Sequence, residues 1–179
     1  MPRGRVRADA TERERLQLLT AVSGALFSER LREVFSVPVL LGGLRRVVDG
    51  AIAAHAADRA LRPVAPVLLM RVLVLTVQAH AATRAGLAEL LTLLLRRCGA
   101  SVFEAAAPAA GAPVWEGFVM LVKGLVPLSL PLAALLDEPL LAALVAREAN
   151  LAQRLRTWAA ALAPQAREAL PEHVRRLLA

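Results

Sequence analysis

The chain has 179 residues, 57% of them hydrophobic and 3% aromatic, with one Cys, no Tyr and a formal charge of +7. A single domain of this length buries roughly 70% of the surface its unfolded chain exposes, so its core needs neither disulfide nor metal, and a lone Cys excludes an internal disulfide. Ala and Leu dominate while β-branched and aromatic residues are scarce, which favours helices over strands; the expected class is all-α.

A mean hydropathy of +0.52 raises the question of a membrane span, which needs ~20 apolar residues without a charge. The charge-free runs Gly124 to Leu136, interrupted by Pro127 and Pro131, and Val72 to Thr83 are shorter than that and read as core helices. The basic start, Met1-Pro2-Arg3-Gly4-Arg5-Val6-Arg7, is followed by Asp9, Glu12 and Glu14 rather than by an apolar stretch, so the reading is intracellular with no membrane partner.

In chain order, residues 1–12 read as a mobile Arg-rich arm and 13–179 as a single helical domain. Leu16, Leu19, Val22 and Leu26 form a helical stripe that Leu31, Val34 and Phe35 continue. Val37-Pro38 and Gly42-Gly43 punctuate the chain, and a second helix with Leu44, Val47, Val48 and Ile52 inward ends before Pro63. The segment between Pro66 and His80 is apolar nearly all round, the mark of a central helix enclosed by neighbours. Leu87, Leu90, Leu91, Leu94, Leu95 and Cys98 give the next helix one buried face. Residues 104–113 form a low-complexity Ala/Pro/Gly loop. Trp115, Phe118, Val119, Val122 and Val126 then set the face of another helix, and Pro127, Pro131 and Pro139 start short ones. Leu151, Leu155, Trp158 and Leu162 make a further stripe, and Val174, Leu177 and Leu178 close the chain. Eight or nine short helices on short loops suggest a HEAT-like antiparallel helical array.

There is no Gly-rich phosphate loop, no Gly-x-Ser-x-Gly elbow and no Cys/His set at metal-ligand spacing, so the chain is read as non-enzymatic, with no catalytic, cofactor or metal residues assigned. His55 and Asp58, one helical turn apart, read as an exposed helix-end pair; His80 and His173 read as helix-end residues, with no carboxylate partner for either visible in the sequence. Cys98 continues a leucine face and reads as a buried thiol. All basic residues but Lys123 are Arg, and the pairs Arg45-Arg46, Arg96-Arg97 and Arg175-Arg176 fall at separate helix ends, as solvated faces do. RNA contact is then expected only indirectly, and a basic helical-repeat RNA-binding adaptor is the alternative. A Bcl-2-like helical regulator is a further alternative, which the charged tail Pro171–Ala179 disfavours.

Two segments are more specific than their surroundings. Pro66-Val67-Leu68-Leu69-Met70-Arg71-Val72 resembles the Pro-x-Leu-x-Met-Arg-Thr-Val run of the symplekin C-terminal domain family, the scaffold of messenger-RNA 3′-end processing. Trp115-Glu116-Gly117-Phe118-Val119 resembles that family's Trp-Glu-Gly-Phe-Ile/Val signature. Pro127 and Ser129 match its Pro-x-Ser, and Leu130 to Leu141 resembles its Leu-Leu-x-Leu-Pro tail, so that order and spacing agree over about residues 34–145. Gly124-Leu125-Val126 stands where the family carries a basic, polar stretch. The resemblance implies a nuclear scaffold of the cleavage and polyadenylation machinery, part of a hetero-oligomeric complex. It would dock the C-terminal regions of the cleavage endonuclease and its pseudo-endonuclease partner. The family's large N-terminal HEAT domain is not among these residues, which leaves a fragment or a reduced homologue.

Three local expectations follow. Arg71 sits in an otherwise apolar helix, where an unpaired buried guanidinium would cost several kcal/mol, so a salt bridge to Glu116 is expected, with Glu89 or helix-end carbonyls as substitutes; an Arg that snorkels to solvent from the helix edge is the alternative. Trp115 and Phe118 are expected in the core. Val37 to Leu41 and Leu125 to Leu136 are expected to supply exposed apolar surface for partners.

Overall fold

The computed structural model describes residues 36–60, 64–65, 67–103, 112–148 and 150–178. Among the described residues there are nine α-helices and no strand: α1 (Val37–Ala57), α2 (Val67–Ala79), α3 (Arg84–Cys98), α4 (Pro113–Gly124), α5 (Leu130–Ala133), α6 (Glu138–Arg147), α7 (Leu151–Ala160), α8 (Pro164–Glu168) and α9 (Glu172–Leu178). Single 3-10 turns at Ala81–Thr83 and Gly99–Val102 flank α3. The chain is all-α, as its composition implies, and no helix among the described residues is long and apolar enough to cross a membrane. The expected arm at 1–12, the stripe from Leu16 to Phe35 and the loop over 104–111 lie outside the described residues.

Proline starts and polar stops set the helix lengths. Pro38, Pro113, Pro131, Pro139 and Pro164 all occupy the first turn of a helix, where the missing N–H leaves no intrahelical bond unmade. The carboxylate of Asp137 caps α6 by accepting from the Leu140 amide at 3.1 Å. α3 stops at Gly99, whose φ of 54° lies in the left-handed region that favours glycine. One expected punctuation is overturned: α1 runs unbroken through Gly42-Gly43. Two helical glycines cost about 2 kcal/mol together relative to Ala, and burial of Leu44 and Val48 downstream holds the helix despite it.

The principal neighbours are helices two apart in sequence: α1 lies against α3, α2 against α4, α3 against α5, and α7 against α9. The α2–α4 contact is the most extensive, and glycine makes it possible. A β-carbon on Gly117 would stand 2.9 Å from Cβ of Met70, and one on Gly124 would stand 2.7 Å from Cγ1 of Val77. Seven residues separate Met70 from Val77 and also Gly117 from Gly124, so the two helices run in the same direction with their contacts in register. Small residues at this spacing let two backbones close on each other, as ridges and grooves do elsewhere.

Burial follows the predicted stripe most closely in α3, where Leu87, Leu90, Leu91, Leu94, Leu95 and Cys98 are all buried. Elsewhere the neighbours decide. Val47, expected inward, is 50% exposed, because α1 has α3 as its main partner and buries only the narrow strip around Leu44 and Val48. The expected apolar surface is mixed in the same way: Val39, Leu128 and Leu135 are exposed, whereas Leu125, Leu130, Leu132 and Leu136 are core.

The glycine seam separates two kinds of glycine by the sign of their substitution. Gly42→Ala and Gly50→Ala, at exposed α1 positions with open space around them, should each raise stability by about 0.5–1 kcal/mol. Gly117→Ala should lower it by about 1–3 kcal/mol despite the same propensity gain, because Met70 Cβ cannot move without its backbone. Urea unfolding of the three variants measures both signs.

Candidate interaction surface

The residues of the two sequence motifs come together at the α2–α4 seam. Met70 is buried against Gly117. Trp115 and Phe118 are core, as expected, and join Phe103 in an aromatic cluster: Phe103 meets Trp115 edge-on at 5.2 Å and Phe118 at 5.1 Å, while Trp115 and Phe118 lie near-parallel at 5.7 Å. Offset and edge contacts at these separations are the favoured aromatic geometries. Three of the chain's six aromatic residues, four Phe and two Trp, are therefore gathered behind α4. Phe103 carried no sequence signal beyond being apolar at the end of the leucine-rich helix.

Ser129 is fully buried, and its hydroxyl donates to the Val122 carbonyl at 2.7 Å. That carbonyl belongs to the last turn of α4, which has no intrahelical partner, so the serine folds the turn after α4 back onto the helix end. Pro127, exposed on the same turn, follows a cis peptide bond. The Pro-x-Ser element thus closes the end of the helix that the Trp-Glu-Gly-Phe element starts.

The outer edge of the seam is polar. The expected Arg71–Glu116 salt bridge is not formed. Glu116 is held by Arg147, whose Nη2 donates to both carboxylate oxygens at 2.6 Å, and Arg71 is exposed on α2 with no ion pair among the described residues. The premise of full enclosure fails because the cover of α2 is incomplete: Val67, Leu68, Val74 and Leu75 are half-buried, Arg71 and Gln78 are exposed, and Arg71 extends past its apolar neighbours to water. Seven residues further along α4, Lys123 pairs with Glu148 at 2.5 Å. The two ion pairs fasten the C-terminal end of α6 to the first and last turns of α4.

Between α2 and α4, on the flank away from the core, runs an open groove. One stretch of about 500 Å³ is lined by Val67, Arg71, Val74, Leu75, Pro113 and Met120. A second, of about 330 Å³, continues it past Val77, Lys123 and Gly124, sharing Val74, Gln78 and Met120 with the first. Its floor crosses the same glycines that bring the helices together. Met120, 50% exposed, stands on its rim.

The remaining polar residues have local roles. Asp58 accepts from the Ala60 amide rather than from His55, whose Nδ1 is buried without a hydrogen-bond partner. His173 Nε2 lies 2.8 Å from the Leu136 carbonyl, tying α9 to the end of the α5 turn. Cys98 is buried, and desolvation pushes its thiol above the ordinary 9.0. Arg167 donates from Nε to the Ala159 carbonyl at 3.1 Å and from Nη2 to that of Ala160 at 2.8 Å, closing the end of α7. No group of three or more His, Cys, Asp or Glu side chains placed to hold a metal occurs among the described residues. No family model, curated protein or solved structure matches the chain.

Trp115→Ala should cost about 3–5 kcal/mol, since it empties the centre of the aromatic cluster, and denaturant unfolding reads it directly. Arg147→Gln, which removes a pair still partly open to water, should cost under about 1 kcal/mol and lose that effect at high salt. Cys98 favours its neutral thiol in the folded state, so the stability it lends is intact below pH 9.0 and falls as pH rises past that value. Cys98→Ala should abolish that part of the alkaline decline in a pH series of melting curves.

Proposed function

We propose that the chain is a non-enzymatic scaffold of the symplekin C-terminal type, serving the pre-mRNA 3′-end cleavage and polyadenylation machinery in the nucleus. Its work is to dock the C-terminal regions of the cleavage endonuclease and its pseudo-endonuclease partner. The observation that carries the reading is the contact between the two motifs. Met70 and Gly117 are 47 residues apart, and each comes from a segment that resembles the family independently. They meet face to face at 2.9 Å from the glycine's β-position. Segments alike by chance have no reason to meet; segments that define one helix pair do.

Two further features support it. Parallel packing of helices two apart is what a HEAT-like, two-layer array gives. Part of the arginine set is committed within the fold: Arg167 closes a helix end, and Arg45, Arg147 and Arg176 are taken up in ion pairs with Asp49, Glu116 and Glu138, so these four are not free for phosphates as an RNA-binding face would leave them.

Affinity purification of the full chain with mass spectrometry tests this, followed by pull-down of the purified nuclease C-terminal regions. The expected result is that both nucleases co-purify. A chain that runs as a monomer, leaves the nuclease regions in the flow-through and instead retains RNA at physiological salt would overturn it.

A further inference from the structure

The α2–α4 groove has the dimensions and chemistry of a site for one helix. Its two stretches extend along α2 from Val67 to Gln78, about 17 Å at 1.5 Å per residue, or three helical turns. Its walls are aliphatic at Val67, Val74, Leu75 and Val77 and polar at Arg71, Gln78, Glu116 and Lys123, its floor is hollowed by Gly117 and Gly124, and Met120 on the rim is the kind of unbranched, polarizable side chain that moulds to an incoming apolar face. A pocket for a small molecule would be enclosed; this one is long and open, as helix-binding grooves are.

Charge selects the occupant. Five charged side chains belong to this edge: Arg71, Lys123 and Arg147 against Glu116 and Glu148. Both carboxylates are engaged by Arg147 and Lys123. Of these three cations Arg71 alone has no ion pair among the described residues, and it lies in the groove wall. A second copy of this chain is a poor occupant, because the chain carries +7 and would bring cation to cation. We propose that the groove receives an amphipathic helix of about three turns from a partner protein, apolar on the face it buries and carrying a carboxylate that pairs with Arg71. This rests on the scaffold reading for the existence of a protein partner, but not for which partner it is.

The test is selection of a display library of helical peptides about three turns long, randomised on one face, against the full chain. Enriched helices should share apolar positions at i, i+3 or i+4, and i+7 with an Asp or Glu beside them. Their binding should weaken about tenfold or more on Arg71→Glu and on Met120→Glu, and should be unchanged by Arg96→Glu, an exposed site on α3. Arg71→Glu and Met120→Glu alter exposed side chains, and an unchanged melting temperature confirms that the fold is intact. Helices without a carboxylate, or helices that bind Arg71→Glu as tightly as the parent chain, would overturn the proposal. So would a dimer that Met120→Glu turns into a monomer, which assigns the groove to a second copy. Faster hydrogen exchange within residues 13–35 in Met120→Glu would overturn it too, by assigning the groove to the chain's own N-terminal stripe. The nuclease C-terminal regions separate the two readings. If they bind the parent chain and Arg71→Glu alike, the groove fails and the scaffold stands. If they do not bind at all while the selected helices do, the partner is another protein and the groove stands.

Discussion

Two missing side chains set the spacing on which the rest of the structure depends. Gly117 and Gly124 let α4 approach α2 until Met70 and Val77 stand 2.9 and 2.7 Å from where the glycines' β-carbons would be. That approach presses Trp115 and Phe118, which neighbour Gly117 on α4, inward onto Phe103. It also brings the far end of α4 to where Ser129 can accept the task of satisfying the Val122 carbonyl. The cost of two helical glycines, about 2 kcal/mol in propensity, is offset by burial of four large side chains in one place, each contributing about 1.5–3 kcal/mol.

The same close approach shapes the surface. Where two helices pack through glycine, no side chain rises between them on the outer flank, and a groove is left along the seam. The ion pairs Arg147–Glu116 and Lys123–Glu148 fix its lower border by holding α6 to α4. They also remove the carboxylates that would otherwise neutralise Arg71 across the groove. Stability and recognition therefore draw on one feature, and the motif residues divide between them: Met70, Trp115, Gly117, Phe118 and Ser129 hold the pair together, while Arg71 and Glu116 sit at its edge.

How much of this was legible in the sequence depended on the number of faces each helix buries. α3 packs against α1, α2 and α5, so a 3-and-4 spacing of leucines reported its buried face without error. α2 was harder. Its unbroken apolar run reads as full enclosure, yet half-buried Val67, Val74 and Leu75 line an open groove, since hydrophobicity alone does not distinguish a core from an interface waiting for a partner. That ambiguity placed Arg71 inside and gave it Glu116. Glu116 is held instead by Arg147 of α6, 31 residues further on, at a spacing no helical periodicity encodes. Gly42-Gly43 misled in the opposite sense, because a glycine pair signals a break only when tertiary burial does not carry the helix across it. Phe103 was silent for want of a neighbouring pattern.

The central claim is that the seam is structural and its outer groove is the docking face, and two of the chain's three methionines report on these separately. Met70 lies buried against Gly117, and Met120 stands on the groove rim. Methyl NMR of 13C-methionine chain, titrated with the purified nuclease C-terminal regions or with a selected helix, reads both in one spectrum. The account predicts that the Met120 methyl signal moves with added partner while that of Met70 stays in place. A bound partner that shifts Met70 and leaves Met120 untouched would contradict it.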